Sequence, residues 1–149
     1  MSFFNTMNIS ASGLTAQRTR MDVLAQNIAN VDTTRTAEGG PFMRRTVIFE
    51  ERQPGAQSFS AIFNRAMNRA PGGTGVRVHS IVEDQTPGPR VFDPGHPDAD
   101  AEGYLTRPNV NIVSEMVNMI SATRSYEANI TAINATRSMM NRTLEISGR

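Results

Sequence analysis

NIVSEMVNMISATRSYEANITAINATRSMMNRTLEIS, residues 111–147, decides the fold. Apolar residues recur in alternating steps of four and three: Ile112, Met116, Met119, then Tyr126, Ile130, Ile133, then Met140 and Leu144. Written as heptads, Ile112, Met119, Tyr126, Ile133 and Met140 hold one core register. Met116, Thr123, Ile130, Arg137 and Leu144 hold the other, with two polar interruptions. Heptads sustained without Gly or Pro predict one helix with a coiled-coil seam. At about 1.5 Å per residue such a helix is roughly 55 Å long, too long to lie within one compact core of this size. It needs a partner.

The flanks of this seam are unusual. A solvated coiled coil carries Glu, Lys and Arg beside its core positions. Here the flanks are Asn118, Ser121, Ser125, Asn129, Thr131, Asn134, Thr136, Ser138, Asn141 and Thr143. Ser, Thr and Asn side chains compete for the backbone and make mediocre helices. Alone in water the helix is marginal, so more of its circumference must be covered in the working state than a single hairpin partner covers.

The partner is at the other end of the chain. Met7, Leu14, Met21 and Ile28 are spaced by seven, and Leu24 and Val31 fill the companion register. The polar positions are again mostly amides and hydroxyls, with Arg18, Arg20 and Asp22 the charges between Ser2 and Val31. Gly13 inside this pattern costs about 1 kcal/mol relative to Ala, which predicts a break or bend near Ser10–Gly13. The expected fold is therefore mainly α. Long N- and C-terminal helices pair as a coiled coil, and a small β-rich segment containing a short helix loops out between them.

Between the helices, turn residues punctuate short elements. DTTRTAEGG, residues 32–40, ends the first helix. Phe42–Arg52 reads as a strand centred on residues 46–49, Val76–Glu83 as a second and Arg90–Asp93 as a brief third. Phe59, Ile62, Phe63, Ala66 and Met67 recur at helical spacing and predict a short helix at about 58–70. PGHPDADAEGYLTRP, residues 94–108, reads as loop. The division that follows is 1–36, an N-terminal helix and its signature; 37–108, the β-rich middle; and 109–149, a C-terminal helix that pairs with 3–31.

Composition removes several function classes. The chain has 149 residues and a net charge of +1, so no global field recruits nucleic acid or an anionic membrane. All 15 basic residues are scattered arginines. The absence of cysteine excludes disulfides, thiolate metal sites and a cysteine nucleophile. No apolar run approaches the roughly 20 residues needed to span a bilayer. MSFFNTMNIS lacks a basic segment followed by an apolar core, so no Sec-type signal is expected there.

Chemistry-bearing motifs are sparse. Asp98, Asp100, Glu102 and Gly103 match the opening of a calcium-binding loop, but its twelfth position is Asn109 instead of a bidentate Glu. Pro94 and Pro97 also preclude an entering helix. A secreted calcium-binding module built on residues 98–103 is the alternative this loop leaves open. His79 and His96 are the two histidines, too few for a catalytic zinc site. The glycines at 72, 73 and 75 lack the Lys of a phosphate loop. No catalytic constellation and no cofactor motif stands out.

SGLTAQRTRMDVLAQNIANVDTTRT, residues 12–36, resembles the N-terminal signature of the bacterial flagellar axial proteins, the rod and hook components. Its core is the Asn27–Asn30 run followed by Thr33 and Thr34. DPGHPDADAEGY and PNVNIVSEMV, which supplies Pro108, Asn109 and Asn111, are similar to segments of the proximal-rod members in particular. The resemblance implies a non-enzymatic subunit of the basal-body rod in the periplasm, without cofactor. It implies export through the flagellar type III apparatus without a cleaved signal, and polymerisation through the terminal helices into a hollow, torque-transmitting tube. The partners implied are copies of the chain, other rod proteins, proteins at the junction of membrane ring and rod, and the export apparatus. Neither nucleic acid nor a small-molecule substrate is among them. Met7, Leu14, Met21, Leu24, Ile28, Val31, Ile112, Met116, Met119, Tyr126, Ile130, Ile133, Met140 and Leu144 are the expected assembly and helix-packing residues.

Overall fold

The computed structural model describes residues 3–52, 63, 73 and 75–147. Two long helices terminate the chain: α1, Phe3–Ala29, and α2, Ile112–Ser147. Between them lie β1 (Arg45–Glu51), β2 (Val76–Glu83), β3 (Arg90–Phe92) and β4 (Tyr104–Thr106). The helix expected at about 58–70 falls outside the described residues, Phe63 excepted. The two terminal helices pack together, with a small middle region of short antiparallel strands, as the apolar periodicity predicts.

Local chemistry sets the ends of these elements. Asn111 caps α2, its Oδ1 accepting the Ser114 amide at 3.1 Å. This satisfies one of the donors that a helix start leaves unpaired. α1 closes at Asn30, whose backbone and side-chain amides both donate to the Gln26 carbonyl, at 3.1 and 2.9 Å. α1 runs unbroken through Gly13, where a break or bend was expected. A side chain there would meet the Asn129 amide, with a Cβ 2.9 Å from Oδ1, so the glycine admits α2 at close range.

The strands form two separate two-stranded sheets, β1 with β2 and β3 with β4. β3 and β4 run antiparallel in the register Arg90–Thr106, Val91–Leu105 and Phe92–Tyr104. β4 lies inside the segment read as loop. Three residues are too short for alternation to register in a sequence, and Leu105 alone points into the core. Phe92 and Tyr104 meet edge to face at 5.3 Å, and the Arg90 guanidinium lies over the Tyr104 ring.

The chain divides into two compact units, each drawing on both helices. The first comprises Met1–Arg18, Phe49–His79 and Thr123–Arg149; the second comprises Thr19–Ile48 and Ser80–Ala122. Among the described residues of the second unit, Val23, Leu24, Phe42, Leu105, Pro108 and Ala122 are buried, together with Asn27 and Glu115. Among the described residues of the first unit, Ser10, Gly13, Ala16 and Thr136 are buried, all small.

Gly88 tests the packing of the β3–β4 hairpin. A Cβ at this position would collide with the carbonyl oxygen of Arg107, whose own amide donates to the Pro89 carbonyl at 3.0 Å. Backbone cannot yield as a flexible side chain does, and overpacking costs about 1–3 kcal/mol. Gly88→Ala is therefore expected to lower the thermal midpoint of the purified chain by several degrees. An unchanged melt would show that the hairpin tolerates the displacement.

Candidate functional site

The densest polar cluster in the second unit gathers the end of α1, the start of β1, the end of β2 and the start of α2. Asn27 and Glu115 sit at its centre, each 0 % exposed. Asn27 Nδ2 donates to Glu115 Oε2 at 2.9 Å and to the Arg45 carbonyl at 2.8 Å. Its Oδ1 accepts the Arg45 amide at 2.9 Å, so the side-chain amide pairs with Arg45 much as a neighbouring strand would. Asn109 repeats the arrangement one residue earlier, accepting the Arg44 amide at 2.8 Å and donating to the Asp84 carbonyl at 3.1 Å. Arg44 Nε completes the cluster with an ion pair to Glu115 Oε1 at 2.8 Å.

A buried carboxylate is tolerated only when paired and hydrogen-bonded. Glu115 satisfies both conditions, one oxygen taking a guanidinium and the other an amide. Nearby, Arg45 pairs with Glu83 at 2.9 Å and lies over the Phe42 ring.

All seven signature residues lie in this unit. Beyond Asn27, Asn109 and the cap Asn111, Asn30 Oδ1 accepts the Thr33 hydroxyl at 3.1 Å. The Thr33 carbonyl accepts the Phe42 amide at 3.0 Å, and the Thr34 hydroxyl donates to Asp98 Oδ2 at 2.7 Å. Pro108 is buried. Each of these seven therefore has a structural task in the turn after α1 or at the entry to α2.

The expected packing residues separate into two groups. On α1, Leu24 is buried, and Met7, Leu14, Met21, Ile28 and Val31 are half-buried. On α2, Met119, Tyr126, Ile133 and Met140 are half-buried, whereas Ile112 is exposed. The companion register read from the sequence, Met116, Thr123, Ile130, Arg137 and Leu144, is exposed throughout. The covered positions lie one residue earlier: Glu115, Ala122 and Thr136 are buried and Asn129 half-buried. Apolar counting missed these because two are amide or hydroxyl, one is Ala and one is charged. A seven-residue recurrence of small or polar residues at 115, 122, 129 and 136 is the signal that marks them. Nothing in the sequence marks Arg44, Arg45 or Asp84 as partners of Asn27, Asn109 and Glu115.

The acidic loop is committed to local bonds. Asp98 accepts from Thr34, and Asp100 Oδ1 accepts the amides of Glu102 and Tyr104 at 3.0 and 2.8 Å. Arg90 takes Asp100 Oδ2 at 2.7 Å. Among the described residues no group of three or more His, Asp or Glu is placed to hold a metal ion. No described helix is long and apolar enough to cross a membrane.

Comparison with known proteins decides the identity of this arrangement. Residues 7–35 match the profile of the flagella basal body rod protein family, and residues 101–146 match the flagellar basal body rod FlgEFG protein C-terminal profile. The chain is 48 % identical to the flagellar basal-body rod protein FlgC of Bacillus subtilis, over 98 % of this chain and 99 % of the relative. It is 45 % identical to FlgC of Borreliella burgdorferi and 40 % identical to FlgC of Salmonella typhimurium, over 98 % of both chains in each pair. The chain belongs to the FlgC family of flagellar basal-body rod proteins. FlgC proteins are structural rod subunits and not enzymes, and the rod family assembles with other rod subunits. The two profiles cover most of the two helices, so the Asn27–Glu115 pair joins the two FlgC regions that they match.

Two measurements follow from this geometry. Arg44→Ala leaves the Glu115 carboxylate buried with the Asn27 amide but without its cation, a loss of about 3–5 kcal/mol. Urea denaturation should show it, and Arg44→Leu with Glu115→Leu should recover most of the loss, since an apolar replacement of both partners is nearly neutral. The second concerns Asp100, whose carboxyl is held below its ordinary range by the Tyr104 amide, with the Glu102 amide and Arg90 adding to the effect against opposing desolvation. A depressed folded-state pKa contributes stability that is present above the unfolded value of about 3.9 and is lost as pH falls through the folded value. The amide resonances of Glu102 and Tyr104 should hold steady down to about pH 4 and move only below the ordinary Asp range.

Proposed function

We propose that this chain forms part of the proximal rod of the flagellar basal body, polymerising through its terminal helices into a hollow tube that carries torque. Its neighbours in this reading are copies of itself, other rod proteins and the proteins at the ring–rod junction. It reaches the periplasm through the flagellar type III export apparatus without a cleaved signal, and α1 and α2 order fully on assembly. The 1–36, 37–108 and 109–149 segments then act as axial helix, outer-contact segment and axial helix.

One observation carries the reading: the apolar side of α2 points away from its intrachain partner. Val113, Met116, Val117 and Ile120 are exposed, Val113 at 71 % and Val117 at 60 %. At 100° per residue these four share one face of the helix, opposite Glu115 and Ala122. Fully burying such a side chain is worth roughly 1.5–3 kcal/mol. The free energy available from covering this face thus lies outside the single chain, where a neighbouring subunit supplies the cover.

Val117→Asp tests it. The residue is exposed, so the purified variant should melt within about 0.5 kcal/mol of the parent, as surface substitutions do. In a strain lacking its own copy, the same variant should be absent from purified basal bodies and leave the cells non-motile. Swimming cells with normal rods would refute the assignment of this face to assembly.

A further inference from the structure

We propose that the buried Asn27–Glu115 pair is a register lock, selecting one alignment of α1 against α2 from several that their apolar residues leave nearly equivalent. The degeneracy is visible in the chain. Met7, Leu14, Met21 and Ile28 on α1, and Met119, Tyr126, Ile133 and Met140 on α2, both repeat at intervals of seven. Sliding one helix past the other by seven residues therefore brings like residues back into opposition. Elsewhere in the seam Ser10, Ala16 and Ala122 are too small to act as specific knobs and oppose the slide only weakly. Specificity in a helix pair then falls to a polar residue at a core position, the best-attested use of such groups.

In the second unit α1 and α2 run antiparallel, since Arg20 reaches Asn118 while Asn27 meets Glu115. A slip of seven residues in one direction faces Asn27 with Ala122 and carries Glu115 beyond the end of α1 at Ala29. A slip in the other direction sets Glu115 beside Arg20 but carries Asn27 beyond the start of α2 at Ile112. Neither keeps Glu115 between the Asn27 amide and Arg44, and neither keeps the Asn27 amide on both polar groups of Arg45 with a carboxylate behind it. One alignment alone satisfies every donor and acceptor of the cluster. Because Asn27 also holds β1 at Arg45, the lock fixes the helix pair and the entry to the β-segment together.

The test uses the full chain, which has no native cysteine to interfere with labelling. Asp22→Cys and Ile120→Cys, both at exposed positions, carry nitroxide labels, and double electron–electron resonance reads their separation. The parent should give one narrow distance. Asn27→Leu with Glu115→Leu should retain helical circular dichroism and add a second, longer distance, because the labels start level across the pair and a slip of one heptad moves the helices about 10 Å along their axis. A single unchanged distance in that variant, or several distances in the parent, would overturn the proposal. If the double leucine chain does not fold, Asn27→Asp decides. It sets a second carboxylate against Glu115, so the parent distance should lose most of its population, and an unaltered distribution would equally overturn the lock.

Discussion

The constraint on which the structure depends is the character of the seam between α1 and α2. Where the helices of an ordinary hairpin bury their largest apolar residues against each other, these meet through Ser10, Gly13, Ala16, Asn27, Glu115, Ala122 and Thr136. Small residues leave room for side chains of the facing helix, as the Asn129 amide against Gly13 demonstrates. They also bury little apolar area, and hydrophobic stabilisation scales with that area. The pair is narrow, and on its own side of the ledger it is weak. What it gains is an outer surface on which Val113, Met116, Val117 and Ile120 remain available.

The two units express this constraint differently. The second compensates for the meagre seam with the polar cluster around Glu115 and with an apolar core that includes Val23, Leu24, Phe42 and Leu105. The first has neither among its described residues. Its buried positions are small, and several hydroxyl and amide groups turn back on their own helix, Ser12 to Ile9, Asn129 to Ser125 and Thr136 to Ala132. Gln17 Oε1 is buried there without a partner, which costs about 1–3 kcal/mol. Among the described residues, the buried Asn27–Glu115 pair and the large buried apolar side chains thus lie together in the second unit.

This distribution explains which parts of the fold were legible in the sequence. Long elements with a sustained period were: both helices, and β2 over the full Val76–Glu83. β4 was not, because a strand of three residues carries no period of its own and exists through its pairing with β3. One of the two registers read on α2 lies one residue away from the covered positions, for a physical reason. Hydrophobic periodicity locates the apolar face of a helix, and it equates that face with the buried one because most proteins bury it within the chain. In a chain built to assemble, the two faces part company, and Met116, Ile130 and Leu144 mark the outward side.

The same separation bears on the weakly charged flanks of both helices. Lys and Glu beside a seam keep a solvated coiled coil soluble and choose its partner. Asn, Ser and Thr do neither strongly, yet they can be covered at low cost, since an amide or hydroxyl loses less on leaving water than a charge does and readily finds a backbone carbonyl. Thr131 and Thr143 already donate to Glu127 and Met139 of α2 at 2.9 Å, and so arrive at any new interface with that donor satisfied. A helix with such flanks is a poor free-standing structure and a good component. In that setting the charged exception, Glu115, is informative. It is the one fully buried carboxylate among the described residues, and its partners, Asn27 and Arg44, come from two other segments of the chain.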